Sequence, residues 1–241
     1  ARQASPKLHA EAALRLKDEG WTALKFYPWG GPQVITPERI RSGIELVRAV
    51  RDAVGPEMEI GLDIRARLDP MSAGRVAREL EPFNIAWLEE PILYDNVEAM
   101  AEFARSVQVP VSTGEQLYNR WEFRPLLATN TIHMIQPDIC HCGGFSEIRK
   151  IAAIAETHYA SVAPHNSNGP ISTLASLHLD MSIPNCFARI YRPKSMNISV
   201  MQGYLKFIQM IMLPPRMSSL DGSSGSTLPW PISRRMGVSK N

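Results

Sequence analysis

The sequence has few of the features that mark exported, membrane-bound or nucleic-acid-binding proteins. Only three of its 241 residues are cysteines, and Cys140-His141-Cys142 lacks the spacing of a zinc finger. No apolar run approaches the roughly 20 residues of a membrane span, and the first ten residues lack the apolar core of a signal peptide. The net charge is only +2, which favours neither nucleic acid nor a membrane as a partner. We therefore expect a reduced, cytoplasmic protein.

Acidic residues are also scarce in the C-terminal part of the chain. Residues 1–186 contain 18 basic and 23 acidic side chains, whereas residues 187–241 contain 8 basic ones and a single acidic one, Asp221. The 8 basic residues are scattered along the tail and form no cluster, so they do not indicate nucleic-acid binding. We expect residues 1–187 to form the folded α/β unit and residues 188–241 to form a divergent basic tail, irregular in part.

Short apolar runs of strand character alternate with amphipathic helical runs through the folded unit. The first such pair is a strand over 22–27 and a helix over 36–55. Thr36 is the predicted N-cap of this helix, Pro37 lies in its first turn and Gly55 ends it. Alternation of this kind, with nearly continuous apolar strands, predicts a parallel sheet covered by helices.

The strands end in side chains that can do chemistry. In a closed (β/α) barrel the carboxyl ends of all strands form one rim, so these groups would meet at one mouth. An open doubly wound sheet would spread them along an edge, and it usually carries a glycine-rich phosphate turn that is not found here. The pattern therefore predicts an α/β TIM-type barrel. Successive strand ends, 26, 26, 23 and 27 residues apart, place Asp63, Glu89, Glu115, Asp138 and His165 at this rim.

Three of these groups are carboxylates, Asp63, Glu89 and Glu115. A buried carboxylate is costly unless a basic side chain or a cation pairs with it. One strand-end carboxylate alone indicates a salt bridge, but three at equal spacing favour a metal ion. The absence of His and Cys beside them argues against zinc, and a site with room left for water and substrate suits Mg²⁺ better than Ca²⁺. Glu90 follows Glu89 directly and should therefore face the other way.

Lys25, Asp138 and His165 are expected on the opposite side of the mouth. Asp138 can accept the ring N–H of His165, which would fix the tautomer and raise the basicity of the other nitrogen. A cation on one side and a base on the other suit removal of a proton α to a carboxylate.

Five segments together resemble the enolase superfamily, of the mandelate racemase type, and within it the galactonate-dehydratase-like acid-sugar dehydratases. They are LDIRARLDP, AWLEEP, VPVSTGEQLYNRWEFRPLL, IQPDICHCGG and APHNSNGPIS, and the likeness covers about residues 5–187. The resemblance implies Mg²⁺ held by Asp63, Glu89 and Glu115, with His165 and Asp138 as a catalytic dyad. The implied reaction eliminates water from a sugar acid and gives a 2-keto-3-deoxy acid.

The sequence departs from this family at both ends of the barrel. Relatives carry an N-terminal capping domain, whereas this chain begins near the second barrel strand, so we expect strands two to seven of an incomplete barrel. After residue 185 the family continues through an eighth strand to a glutamate that binds the substrate carboxylate. Ile190 stands near that position, which leaves the eighth strand doubtful.

The remaining differences concern candidate substrate-binding residues, which we take to be Tyr27, Arg65 and His141. Many galactonate-dehydratase-like enzymes have a histidine acid where Arg65 stands, and many racemase-type enzymes have a second lysine where Tyr27 stands. An arginine can bind a carboxylate but is a poor proton donor.

Three functions remain open on the sequence: a Mg²⁺-dependent dehydratase, a related racemase or epimerase, and a non-catalytic remnant that retains metal binding. The expected partner is a small-molecule sugar acid. Assembly of relatives through their barrels and caps leads us to expect a homo-oligomer.

Overall fold

The computed structural model describes residues 5–29, 36–187, 189–191 and 208–212. None of the helices in these ranges is both long and apolar enough to cross a membrane. The helices are α1 Pro6–Asp18, α2 Pro37–Val54, α3 Pro70–Leu80, α4 Val97–Ser106, α5 Arg120–Ala128, α6 Gly144–Thr157 and α7 Pro170–Asp180, with a 3-10 turn at Glu81–Phe83. The strands are β1 Ala23–Phe26, β2 Glu59–Asp63, β3 Trp87–Glu89, β4 Val111–Thr113, β5 Met134–Ile135, β6 Ser161–Val162, β7 Arg189–Tyr191 and β8 Ile208–Met212.

Local signals in the sequence set the helix boundaries. Helix α2 begins at Pro37, and the side chain of Thr36 accepts the backbone N–H of Arg39 at 3.4 Å. It ends at Gly55, whose φ of 77° lies in the left-handed region that favours glycine. Asp69, which precedes α3, caps that helix in the same way by accepting the N–H of Ser72 at 3.0 Å.

Six parallel strands, β1 to β6, lie in chain order in one sheet. Beyond β6, Cys186 forms a parallel bridge with Val162. The N–H of Val162 donates to the Asn185 carbonyl oxygen, and the N–H of Phe187 donates to that of Val162, both at 2.8 Å. The sheet confirms the predicted α/β barrel with six recognisable strands, and the barrel is incomplete. The chain around Cys186 forms a short stretch of parallel pairing, in the region where the sequence left the eighth strand doubtful.

Two strands lie in the region expected to be a divergent tail. The backbone of β8 pairs antiparallel with β1, and β7 pairs antiparallel with β8. Ile190 pairs with Ile211 within this second ladder. The domain boundary at residue 187 stays a prediction.

Alternation along the strands separates two apolar clusters. Leu24 and Leu88 belong to the large core that also contains residues of the surrounding helices. The residues that directly precede them on the same strands, Ala23 and Trp87, belong to a second, small cluster. Because adjacent side chains on a strand point to opposite faces, that cluster lies on the opposite, inward face of the sheet. We call it the inner cluster, and it consists of Ala23, Trp87, Met134 and Ala163.

Gly61 makes room for the largest member of the inner cluster. A Cβ at this position would lie 2.0 Å from Cζ2 of Trp87. We therefore expect Gly61→Ala to lower the free energy of unfolding by about 1–3 kcal/mol, as measured by urea unfolding. Gly74→Ala in α3 is the matched control, because its Cβ would approach nothing closer than 3.8 Å. Equal stability of the Gly61→Ala variant and the parent chain would contradict this packing.

Candidate active site

The candidate active site lies on the inward face of the strands, in the layer of side chains that follows the inner cluster toward the carboxyl ends of the strands. Side chains two positions apart on a strand share a face. The residues two positions after the four members of the inner cluster are therefore also directed inward. These residues are Lys25, Glu89, Gln136 and His165.

Glu89 is fully buried at the end of β3 and forms an ion pair with Lys25. Its other oxygen, Oε2, accepts hydrogen bonds from Gln136 Nε2 at 2.6 Å and from Trp87 Nε1 at 3.3 Å. Burial acts to raise the pKa of Glu89, but the charge and hydrogen bond of Lys25 together with the hydrogen bond of Gln136 outweigh burial, and the pKa is lowered. Burial likewise acts to lower the pKa of Lys25, and the carboxylates of Glu89 and Asp63 raise it above its ordinary value. Both partners are therefore ionised.

Asp63 ends β2, with its Cα in register with that of Glu89. Its Oδ1 accepts the backbone N–H of Arg65 at 2.8 Å, and its Oδ2 lies 4.0 Å from Nε of the same arginine. Burial and then the charge of Glu89 raise the pKa of Asp63 to about 7. Additional positive charge beside Asp63 would favour its ionised form.

His165 and Asp138 lie side by side at the ends of β5 and β6, where their backbones form a parallel bridge. The His165 Nδ1 lies 2.7 Å from Asp138 Oδ2. Asp138 also accepts the backbone N–H of Cys140 at 2.8 Å and Asn168 Nδ2 at 3.0 Å. These donors hold the carboxylate in place, and with a proton on Nδ1 the neutral imidazole has its lone pair on Nε2.

The second ring nitrogen of His165 is directed toward the carboxylate side of the mouth. His165 Nε2 lies 3.4 Å from Glu115 Oε2. Burial acts to lower the pKa of His165, but the hydrogen bond to Asp138 and the charge of Glu115 raise it above its ordinary value. The structure thus brings the predicted base into contact with one of the predicted metal ligands.

A family model described as enolase C-terminal domain-like matches residues 7–211. The chain belongs to the enolase superfamily. The resemblance noted in the sequence is thereby confirmed, and the match extends beyond residue 187.

Known members of the superfamily are similar to this chain over part of their length. The D-galactonate dehydratase of Pectobacterium atrosepticum is 34% identical over 165 residues, which is 68% of this chain and 42% of that enzyme. The D-xylonate dehydratase of Haloferax volcanii is 34% identical over 198 residues, 78% of this chain and 48% of that enzyme. A crystal structure of an enolase from Agrobacterium radiobacter with bound sodium and L-malate gives a TM-score of 0.72 at 32% identity, covering 79% and 49% of the two chains. This chain spans less than half the length of the two curated relatives.

Two residues that contact the candidate catalytic groups were not predicted from the sequence. Gln136 donates to Glu89, and Asn168 donates to Asp138. Gln136 could have been found, since it stands two residues before Asp138 and therefore shares its face. Asn168 lies in the loop after β6, for which no periodicity predicts a direction.

Two of the three candidate substrate-binding residues, Tyr27 and Arg65, contact each other. The guanidinium of Arg65 stands over the ring of Tyr27, with Cζ 5.8 Å from the ring centre. His141 instead stacks on Tyr118 in the loops after β4 and β5, with ring centres 4.2 Å apart. Their roles in substrate binding stay predictions.

Glu90, the second carboxylate of this strand end, contacts different groups from those of Glu89. Its Oε1 accepts hydrogen bonds from Thr113 Oγ1 at 2.9 Å and from the N–H of Gly114 at 2.8 Å. Burial raises the pKa of Glu90 to about 7. The two glutamates therefore have separate surroundings, as the alternation of the strand predicts.

The raised pKa of Glu90 has a consequence for stability. Because its folded pKa lies above its ordinary value of 4.5, its contribution to stability is complete below pH 4.5 and is lost as the pH rises through about 7. Glu90→Gln has no carboxyl group at this position and should not show this loss. Between pH 5 and pH 8 we therefore expect the decline in the free energy of unfolding to be roughly 2 kcal/mol smaller in the variant than in the parent chain. Urea unfolding at pH 5 and at pH 8 measures the decline in each protein, and Glu79→Gln, at an exposed position, is the control. Equal declines in parent and variant would refute the assignment.

The three predicted metal ligands offer suitable chemistry but do not form a finished site. Within the described part of the chain, no three His, Cys, Asp or Glu side chains converge as they would around a metal ion. Asp63, Glu89 and Glu115 nevertheless supply oxygen donors at three consecutive strand ends, which suits a hard cation. Burial and the charge of Glu89 raise the pKa of Asp63 to about 7 although Lys25 and Arg65 act to lower it, and a cation would offset the remaining negative charge. These residues therefore fit a divalent cation, which would share Glu89 with Lys25.

Proposed function

We propose that the chain is a Mg²⁺-dependent acid-sugar dehydratase. The reaction removes the proton α to the carboxylate of a sugar acid and expels the β-hydroxyl as water, and the enol product then tautomerises to a 2-keto-3-deoxy acid. One observation carries the proposal. His165, which is hydrogen-bonded to Asp138, and the ion pair of Lys25 with Glu89 belong to the same inward layer of side chains and lie across it from each other. The names of the two curated relatives, both sugar-acid dehydratases, support the same reaction class.

His165 is the group we assign as the general base. Nε2 carries the lone pair that accepts the α proton, because Asp138 accepts the hydrogen on Nδ1. The imidazolium that forms is stabilised by the same carboxylate, which donors from Cys140 and Asn168 hold in place. Asp138 thus orients the base and stabilises its charged form.

Lys25 supplies a fixed positive charge on the other side of the mouth. Its raised pKa keeps the ammonium protonated, so it attracts the substrate carboxylate and does not act as a base. A divalent cation held by Asp63, Glu89 and Glu115 would stabilise the negative charge that develops on that carboxylate as the α proton leaves.

The departing hydroxyl also requires a proton. Arg65 stands where many galactonate-dehydratase-like enzymes have a histidine acid, but a guanidinium does not release a proton near neutral pH. We therefore assign the protonated His165 as the donor, so that the proton taken from the α carbon leaves with the hydroxyl as water. His165 then acts both as the general base and as the general acid of the reaction.

A panel of sugar acids distinguishes the three open functions. The purified chain is incubated with five- and six-carbon sugar acids and Mg²⁺ in D₂O, and both 2-keto acid formation and exchange of the α proton are followed. A dehydratase forms the 2-keto acid, and addition of EDTA stops it. Exchange with inversion and without elimination indicates a racemase or epimerase. If a folded chain shows neither reaction, the dehydratase proposal is wrong and the non-catalytic alternative is favoured.

A further inference from the structure

The carboxylate of Glu89 is held by side chains that reach it from two directions along the sheet. Lys25, on β1, pairs with Oε1 across the intervening strand β2. Gln136, which directly follows β5, donates Nε2 to Oε2 at 2.6 Å across the intervening strand β4. Because an ionised carboxylate only accepts hydrogen bonds, this contact fixes which end of the Gln136 amide faces Glu89. Each oxygen of Glu89 therefore has its own partner.

The oxygen that Gln136 contacts is occupied by neutral donors. Trp87 Nε1 also donates to Oε2 of Glu89, at 3.3 Å, and the whole glutamate side chain is buried. A carboxylate oxygen has two lone pairs, and these two donors account for both of them. Oε1 is then the oxygen that Glu89 can share between Lys25 and a cation.

The Gln136 amide is not the side chain that best serves folding at this position. Gln136 is buried, and no described residue donates a hydrogen bond to its Oε1. A buried carbonyl oxygen without a donor is unfavourable for folding, and an apolar side chain of similar size would avoid that cost. What the amide provides is its hydrogen bond to Glu89, and we therefore look for its role in the orientation of that carboxylate.

The number of oxygens that a carboxylate offers affects which divalent cation it binds. Ca²⁺ takes about six to eight oxygen ligands and commonly uses both oxygens of one carboxylate. Mg²⁺ is smaller, requires a nearly octahedral arrangement and retains several water molecules. A glutamate that offers one oxygen is therefore a greater disadvantage for Ca²⁺ than for Mg²⁺.

We propose that Gln136 is a specificity-determining residue, which restricts Glu89 to one available oxygen and thereby makes the strand-end site select Mg²⁺ over Ca²⁺. The inference rests on the proposed function for the placement of a cation at Asp63, Glu89 and Glu115. The end of β5 then serves both sides of the mouth, because Gln136 orients Glu89 and Asp138, two residues later, orients His165.

Calorimetric titrations of Mg²⁺ and of Ca²⁺ into the full chain measure this selectivity without requiring turnover. The variant Q136M keeps an unbranched side chain of similar length but has no N–H to donate. We expect its preference for Mg²⁺, given by the ratio of the two Kd values, to fall at least about tenfold below that of the parent. The Kd for Mg²⁺ should rise, and the Kd for Ca²⁺ should rise less or fall.

Two further variants control for packing. Q136N keeps an amide but is one methylene shorter, so it should lose the contact with Glu89 and the preference as well. S112A is the matched control, because Ser112 is buried on β4 in register with Glu89 and its Oγ has no hydrogen-bond partner among the described residues. Its ratio of Kd values should equal that of the parent. Urea unfolding in EDTA shows which variants are folded.

A parent ratio that survives in folded Q136M or Q136N would overturn the proposal. An equal loss of affinity for both ions would also overturn it, since that result indicates a structural role alone, and so would a parent chain that binds neither ion or does not prefer Mg²⁺. The outcome is separable from that of the proposed function. Selectivity that depends on Gln136 without 2-keto acid formation would retain this inference and reject the dehydratase, whereas Mg²⁺-dependent 2-keto acid formation with an unchanged ratio would do the reverse.

Discussion

Replacing His165 with asparagine is expected to abolish α-proton removal while the fold and its affinity for Mg²⁺ remain nearly unchanged. Asparagine can still hydrogen-bond to Asp138, but it has no nitrogen that accepts a proton near neutral pH. General-base catalysis contributes roughly 10²–10⁴-fold to such reactions, so kcat for 2-keto acid formation and the rate of α-proton exchange should fall by at least about that factor. Thermal melts with EDTA and with Mg²⁺ measure the fold and the metal affinity of the same variant.

Two further variants make this result specific. His158→Asn is the matched control, because that half-buried ring lies 2.9 Å from Asn130 Oδ1 at the end of α6, outside the inward layer. Its activity should equal that of the parent. Glu115→Gln should weaken Mg²⁺ binding itself, since it removes one predicted ligand. If His165→Asn and Glu115→Gln lost Mg²⁺ affinity equally, the division of the mouth into a base side and a metal side would be wrong.

The parts of the fold that could be predicted are those fixed by local chemistry. Thr36, Pro37 and Gly55 bound α2 as capping and backbone preferences require, whatever the rest of the chain does. Period-two alternation correctly separated the surroundings of Glu89 from those of Glu90. The pairing of β8 with β1 in antiparallel orientation could not be predicted, because a pairing across almost the whole chain has no local signal.

The pairing of Lys25 with Glu89 depends on a contact across an intervening strand. Both lie at strand ends, but β2 stands between β1 and β3, so neighbouring-strand reasoning does not bring them together. The register places Gly61 beside Lys25 on one side and beside Trp87 on the other. Because Gly61 has no side chain, the Trp87 ring occupies this space, and Lys25 reaches Glu89 one layer above it. The sequence favoured a metal ion at Glu89, and the structure adds Lys25 as a basic partner.

This buried pair leads to the largest expected effect on stability. Lys25→Met keeps most of the length of the side chain but leaves the fully buried carboxylate of Glu89 without its charged partner. Removing one member of a buried ion pair costs about 3–5 kcal/mol, so the free energy of unfolding without Mg²⁺ should fall by that amount in urea titrations. The double variant Lys25→Met/Glu89→Gln should regain part of the loss, because it removes the uncompensated charge as well. A single variant as stable as the parent chain would show that the pair does not contribute as the structure implies.

Addition of Mg²⁺ to the same variants tests whether the carboxylates can hold a cation. In the parent chain Lys25 already neutralises Glu89, so a divalent ion must share that carboxylate with the ammonium group. In Lys25→Met the charges of Asp63, Glu89 and Glu115 have no such competitor, and a ligand that binds only the folded state stabilises it in proportion to its affinity. Millimolar Mg²⁺ should therefore raise the Tm of Lys25→Met more than that of the parent, and should raise that of Lys25→Met/Glu89→Gln least. Equal shifts in all three proteins would mean that Mg²⁺ does not bind at these strand ends, and the positive charge of the site would then rest on Lys25 alone.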